Sequence, residues 1–196
     1  MLFNLKVLSG VLMSLSQMNA LKVGLLSDLH LQLRYDEEIG TRSEGLGDCV
    51  AGRGELSSVK APLGRYGCDS PPVLIETMLS RMVEKFGELD VILITGDFAG
   101  HHIAMSSSQG QAIEETYALL LETLGSINEM ISVKFPNTLV LPAFGNNDSK
   151  YHDAPIPEED APFFYTYVFN LWFKLLPGNF KKLKPEQLKE IIKTFE

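Results

Sequence analysis

Cysteine is scarce in this chain: Cys49 and Cys68 are the only two among 196 residues, so no set of thiolates is available to hold a metal. Positive charge is scarce as well. Lys and Arg number 17 against 25 Asp and Glu, a formal net charge of -8, and a general nucleic-acid surface needs clustered cations to neutralise phosphates. The one basic cluster, Lys181-Lys182-Leu183-Lys184, is short and reads as the solvated approach to a helix. No internal repeat and no low-complexity segment interrupts the chain. With 45% hydrophobic and 21% charged residues it is ordinary globular material, long enough for one core and unlike a disordered tail.

Against this background three polar blocks stand out: Ser27-Asp28-Leu29-His30, Gly96-Asp97-Phe98-Ala99-Gly100-His101-His102 and Gly145-Asn146-Asn147-Asp148. Each follows an apolar run that reads as a buried strand, at Leu21 to Leu26, Val91 to Thr95 and Thr138 to Phe144. Strands that run into such clusters place them at the carboxyl edge of a sheet, where open α/β folds build their sites. Carboxylate, imidazole and amide oxygen together suit a hard or borderline divalent ion such as zinc, manganese or iron. Asp28 and His30, two apart on an extended segment, would leave on the same face and reach one ion. Asp97 could bridge to a second ion, to which Asn146 offers a neutral carbonyl. Two ions roughly 3.5–4 Å apart would clamp a phosphoryl group and activate water near neutral pH.

The blocks resemble the calcineurin-like metallophosphoesterase family, whose pattern runs D-x-H, G-D-x-x, G-N-H-D/E, a lone His and G-H-x-H. More narrowly they resemble its acid sphingomyelinase-like phosphodiesterases, through Cys49 and Cys68, the Cys68-Asp69-Ser70-Pro71 step into a helix, His101 four residues after Asp97, and Asn170-Leu171-Trp172. The resemblance covers about residues 21 to 180. It implies an α/β fold, a two-sheet β-sandwich flanked by helices, and a metal-dependent phosphodiesterase acting on a small-molecule or lipid diester, either sphingomyelin-like or nucleotide-type. Asp28, His30 and Asp97 would hold a first ion, Asp97 and Asn146 a second, with zinc the first choice and manganese or iron the alternatives. His101 matches the histidine facing the leaving group. Asn147 stands where the family has a catalytic histidine; an amide donates a hydrogen bond to a phosphoryl oxygen but gives up no proton.

After Asn146 the only histidine is His152, and no G-H-x-H block follows, so the later histidine ligands of the pattern are absent. The chain therefore reads as the amino-terminal part of such a domain over residues 21–196, incomplete at its carboxyl end. A catalytically inactive remnant that keeps partial metal or partner binding is the competing expectation. An incomplete sheet would expose an edge and an apolar face, which invites another chain, and the sequence leaves the oligomeric state open.

Met1 to Ala20 has an early Lys6, an apolar stretch from Val7 to Leu15 and small or polar residues before Ala20, which fits a secretory signal peptide better than a membrane span. The alternative is a first strand or helix of the domain. With the signal removed, no transmembrane segment is expected, and the destination is secreted, lysosomal or extracellular. Cys49 and Cys68 bracket a glycine-containing stretch of little periodicity, so a disulfide between them is expected as a staple, with two free thiols as the alternative.

Between the blocks the pattern turns helical. Ser70 is placed to cap a helix that starts at Pro71 and Pro72 and ends near Gly87. A second helix is expected from about Gln111 to Val133, with Ile113, Tyr117, Leu120, Leu124, Ile127 and Ile131 on one face, and further helices from Pro162 to Leu176 and Pro185 to Phe195. The aromatics from Phe163 to Phe173 read as a helix covering a sheet rather than a lipid groove. Asn147-Asp148-Ser149 matches a glycosylation acceptor but lies within the expected site, and is discounted. His102 and His152 carry no assigned role; Asp148 is expected to orient the Asn146 loop.

Overall fold

The computed structural model describes residues 20–40, 49–51, 54–101, 103, 113–149, 151, 153–174, 184, 186–187 and 190. All but the last residue of the segment expected to be a signal, together with His102, His152 and most of the expected last helix, lie outside the described residues. Three short apolar runs form strands β1 (Val23–Leu26), β2 (Val91–Ile94) and β3 (Leu139–Pro142). They pair in parallel in the order β1-β2-β3, with Val23 opposite Val91 and Val91 opposite Leu139. Parallel neighbours need crossovers, which helices α1 (Pro72–Phe86) and α2 (Ile113–Lys134) provide; α3 (Ala161–Lys174) follows β3.

The α/β class is as expected, a parallel sheet with helices; of the two-sheet sandwich that the resemblance implies, one three-stranded sheet is present among the described residues. Among the described residues, however, the helices cover one face only. Leu26, Ile92, Ile94 and Val140 point into a core shared with Ile75 and Leu79 of α1, Leu120, Leu124, Ile127 and Ile131 of α2, and Phe164, Val168, Leu171 and Trp172 of α3. On the other face Val23, Leu25, Leu93 and Leu141 are exposed. Successive side chains point to opposite faces, and because both sets are apolar the sequence could not tell the covered face from the open one.

The start of α1 differs from expectation in one respect. Pro71 is its N-cap, without a side-chain capping bond, and Ser70 is used elsewhere. The Ser70 N–H donates to the His30 carbonyl at 2.8 Å, and its own carbonyl accepts from the Gln32 N–H at 2.9 Å. The helix start is thus stitched to the loop after β1. The expected disulfide is present between Cys49 and Cys68, and Asp36 N–H bonds the Cys49 carbonyl at 2.7 Å, so the long loop after the first block is anchored from within. The aromatic α3 is core: Trp172 lies 4.6 Å from Phe144 and 5.7 Å from Phe98 between ring centroids.

Candidate metal centre and proton donor

All three polar blocks leave the same end of the sheet, and backbone bonds hold them side by side. Asp28 N–H donates to the Gly96 carbonyl, His30 N–H to the Asp97 carbonyl and Leu31 N–H to the Phe98 carbonyl, at 3.2, 2.9 and 2.7 Å. The second and third blocks meet glycine to glycine. Gly96 has φ +105°, and a Cβ there would collide with the Gly145 backbone, while a Cβ at Gly145 would collide with the Asp97 carboxylate. Both blocks begin with glycine because nothing larger allows that approach.

The segment from Asp28 to His30 is not extended, contrary to the sequence reading. Asp28, His30 and Asp97 have φ of 54°, 42° and 55°, in the left-handed region that side-chain-bearing residues avoid. Such strain persists only where the surroundings over-determine it, and it collects at functional sites. Here it comes from the cross-block hydrogen bonds, and the side chains converge in spite of it.

His30 Nε2 lies 3.8 Å from Asp28 Oδ1 and 3.8 Å from Asp97 Oδ2. Its Nδ1 is 3.3 Å from the Ala99 carbonyl, an acceptor only, so Nδ1 carries the hydrogen and Nε2 turns a lone pair toward the two carboxylates. Three acceptors therefore face one another with no donor between them, at separations too long for hydrogen bonds and suited to ligands on one cation. The residues fit a divalent ion. The Ser27 hydroxyl donates to Asp28, and Asp97 Oδ1 accepts the Asn147 N–H at 3.0 Å, which leaves its Oδ2 facing His30.

The structure also supplies a residue that the sequence reading passed over. Asp69 Oδ1 lies 2.7 Å from His101 Nδ1, and its Oδ2 accepts the His101 backbone N–H at 2.8 Å. A carboxylate on both groups fixes the ring and places its hydrogen on Nδ1, leaving Nε2 for proton exchange. The His101 ring stacks on His30 at 4.2 Å between centroids and 12° between planes. Asp69, His30 and His101 also offer ligand atoms within 4.8 Å of one another. The two rings lie in near-parallel planes, however, so their in-plane lone pairs do not meet at one point, and Asp69 already serves His101. Gly100 makes room for this pair, since a Cβ there would stand 2.7 Å from Asp69 Oδ2. The signal in the sequence was Asp69 directly after Cys68, at the mouth of a helix.

In the third block, Asn146–Asp148 forms a single 3-10 turn. Asn146 is exposed. Asn147 is only 2% exposed, with Oδ1 lacking a partner among the described residues, and this burial agrees with discounting the glycosylation triplet. Asp148, fully buried, accepts from Phe98 N–H and Ala99 N–H through Oδ1 and from Gly145 N–H through Oδ2, at 2.8, 3.0 and 2.9 Å. It clasps the second block to the third, as expected of a residue orienting the Asn146 loop. Burial pushes its carboxyl above the ordinary range, against the opposing pull of those N–H groups.

The sequence pattern of the calcineurin-like phosphoesterase family matches residues 21–189. Among individual proteins, acid sphingomyelinase-like phosphodiesterase 3b of Mus musculus is 31% identical over 147 residues, which are 75% of this chain and 29% of that protein. Sphingomyelin phosphodiesterase A of Dictyostelium discoideum is 32% identical over 124 residues, 63% of this chain and 19% of that protein. A cyclic GMP-AMP phosphodiesterase of Bos taurus is 30% identical over 125 residues, 63% of this chain and 25% of that protein. The chain thus spans less than a third of the length of each of these relatives. No helix among the described residues is long and apolar enough to cross a membrane.

Proposed function

The chain belongs to the calcineurin-like phosphoesterase family, and on that premise we propose that its polar edge is the metal-dependent part of a phosphodiesterase site. The observation that carries this reading is the convergence of Asp28 Oδ1, His30 Nε2 and Asp97 Oδ2 with no hydrogen between them. These residues would hold a first divalent ion, with zinc the natural choice for a carboxylate and imidazole set. Asp97 and Asn146 would serve a second. Bound ions supply positive charge to a phosphoryl group and Lewis acidity toward water. The chain's own part is positional and protonic. His101 delivers a proton from Nε2 to the leaving oxygen while Asp69 holds its Nδ1 hydrogen, and Asn147 occupies the loop without a proton to give.

The substrate class is a phosphodiester of a lipid or of a small molecule, as the names of the relatives suggest. The disulfide supports a secreted or lysosomal setting, with Met1 to Ala20 as the signal and residues 21–196 as domain. The competing reading, a protein that keeps partial metal or partner binding without turnover, rests on ligand number: the three blocks assign only Asp97 and Asn146 to a second ion.

Metal analysis combined with a water-soluble aryl phosphodiester assay tests both. Zinc retention with metal-dependent turnover that falls in His101→Ala supports the phosphodiesterase. Zinc retention without turnover favours the competing reading. Failure to retain any divalent ion overturns the site.

A further inference from the structure

The loop from Leu56 to Tyr66 is unusual for what it shows to solvent. Leu56 is 77% exposed, Val59 65%, Leu63 55% and Tyr66 99%, four large apolar or amphipathic side chains within eleven residues. Disorder is not the cause, because the loop is strapped down. Ser57 N–H donates to the Glu38 carbonyl, Ala61 N–H to the Glu37 carbonyl and the Tyr35 hydroxyl to the Ala61 carbonyl, at 2.7, 3.0 and 2.8 Å. The backbone that carries these apolar side chains is fixed by those bonds. Exposed apolar surface that the fold could have covered marks an interaction site.

The charges say which partner fits. No Asp or Glu occurs from Leu56 to Cys68, although the chain carries 25 of them. The two cations of the loop are neutralised or spent: Lys60 pairs with Glu37 and Glu38 at 3.1 and 2.7 Å, and Arg65 donates to the Glu37 and Val59 carbonyls. The surface offered is largely apolar, with the charges of Lys60 and Arg65 balanced in number by Glu37 and Glu38 and with a phenol at its most exposed point. That combination suits the interface of a bilayer, where an aromatic ring with one polar end is at home. The net charge of -8 disfavours an anionic membrane.

The position of the loop gives the contact a purpose. Its end at Cys68 is the residue before Asp69, which orients His101. A Cβ at Gly64 would stand 3.3 Å from Pro71, so the loop packs on the start of α1, where Val73 and Leu74 continue the exposed apolar surface. We propose that Leu56, Val59, Leu63 and Tyr66 dock the protein on a zwitterionic phospholipid surface, with the polar edge of the sheet beside it. The inference deepens the phosphodiesterase reading by assigning its substrate to a lipid surface, and rests on that reading only for its catalytic arm.

The test is co-sedimentation of the full chain with phosphatidylcholine vesicles. The parent should bind in a salt-insensitive way, and the triple variant Leu56→Ser, Leu63→Ser, Tyr66→Ser should bind at least about tenfold more weakly, from the apolar area removed. Retained zinc and an intact Cys49–Cys68 bond report that the variant has folded. As a second measurement, Tyr66→Trp should show a blue shift in its emission, beyond any seen in the parent, when vesicles are added. Val23→Ser with Leu25→Ser, on the open sheet face, should bind like the parent. Binding unchanged in the triple variant, lost equally in the sheet-face variant, dependent on anionic lipid, or unaccompanied by the emission shift in Tyr66→Trp overturns the proposal. The catalytic arm separates the two readings: hydrolysis of a water-soluble diester should be the same in parent and triple variant, and its absence in both would count against the phosphodiesterase while leaving the docking result intact.

Discussion

Asp97 and Asp69 have different jobs, and isosteric amides separate them. Asp97→Asn keeps the shape but removes the charge between His30 and the Asn147 loop, so its zinc affinity should fall beyond the roughly 10–100-fold that loss of a supporting residue costs, as read by metal titration. Equal metal content in parent and variant would remove Asp97 from the ligand set. Asp69→Asn should leave the metal in place. With an NH2 group in place of one carboxylate oxygen, either the His101 backbone N–H meets a second donor or the ring is forced into the other tautomer, and kcat should drop by about 10²–10⁴-fold at unchanged zinc content. Zinc loss in Asp69→Asn would instead make Asp69 a ligand. Gly100→Ala should resemble Asp69→Asn in kind, because its methyl would press on Asp69 Oδ2.

At the scale of elements, the loops after the second and third strands are joined by one carboxylate. Asp148→Asn would turn an amide NH2 toward one of the three N–H donors now satisfied, and stability should fall by about 1–3 kcal/mol in urea unfolding. Parent-like stability would mean that Asp148 is not the clasp. The sequence made the polar edge and its clasp legible for a physical reason: a strand that ends in a polar cluster marks the sheet edge, and three such endings in one chain point to one place. Asp69 was passed over because its place after Cys68 marks a helix start but not a role, and its partner, His101, is thirty-two residues away. Ser70 was misread because a serine before proline looks like a cap until its backbone is seen pairing with His30 and Gln32. The left-handed turns at Asp28, His30 and Asp97 were also invisible, since only the cross-block bonds impose them.

At the scale of the whole molecule, the described residues divide between one well-packed side of the sheet and one open side. Leu120, Leu124, Ile127 and Ile131 on α2 are fully buried, so Leu124→Ala should cost about 2–5 kcal/mol, measured as a lower urea midpoint with the slope unchanged. Leu25→Ser on the open face should cost far less, or improve solubility, because its side chain already faces water. A large loss of stability there would show that residues outside the described set cover that face. The strands themselves were legible in the sequence as apolar runs; the one-sidedness was not, because Val23-Gly24-Leu25-Leu26 and Val91-Ile92-Leu93-Ile94 are apolar on both faces.

The covalent ring closed by Cys49 and Cys68 changes what a protease can do to the molecule. Lys60 lies inside that ring with its side chain partly in solvent, and a tryptic cut after it would open the backbone without releasing either piece. The severed chain gains the mass of one water, travels as a single species until a reductant is added, and keeps Asp69 tethered beside the bridged Cys68.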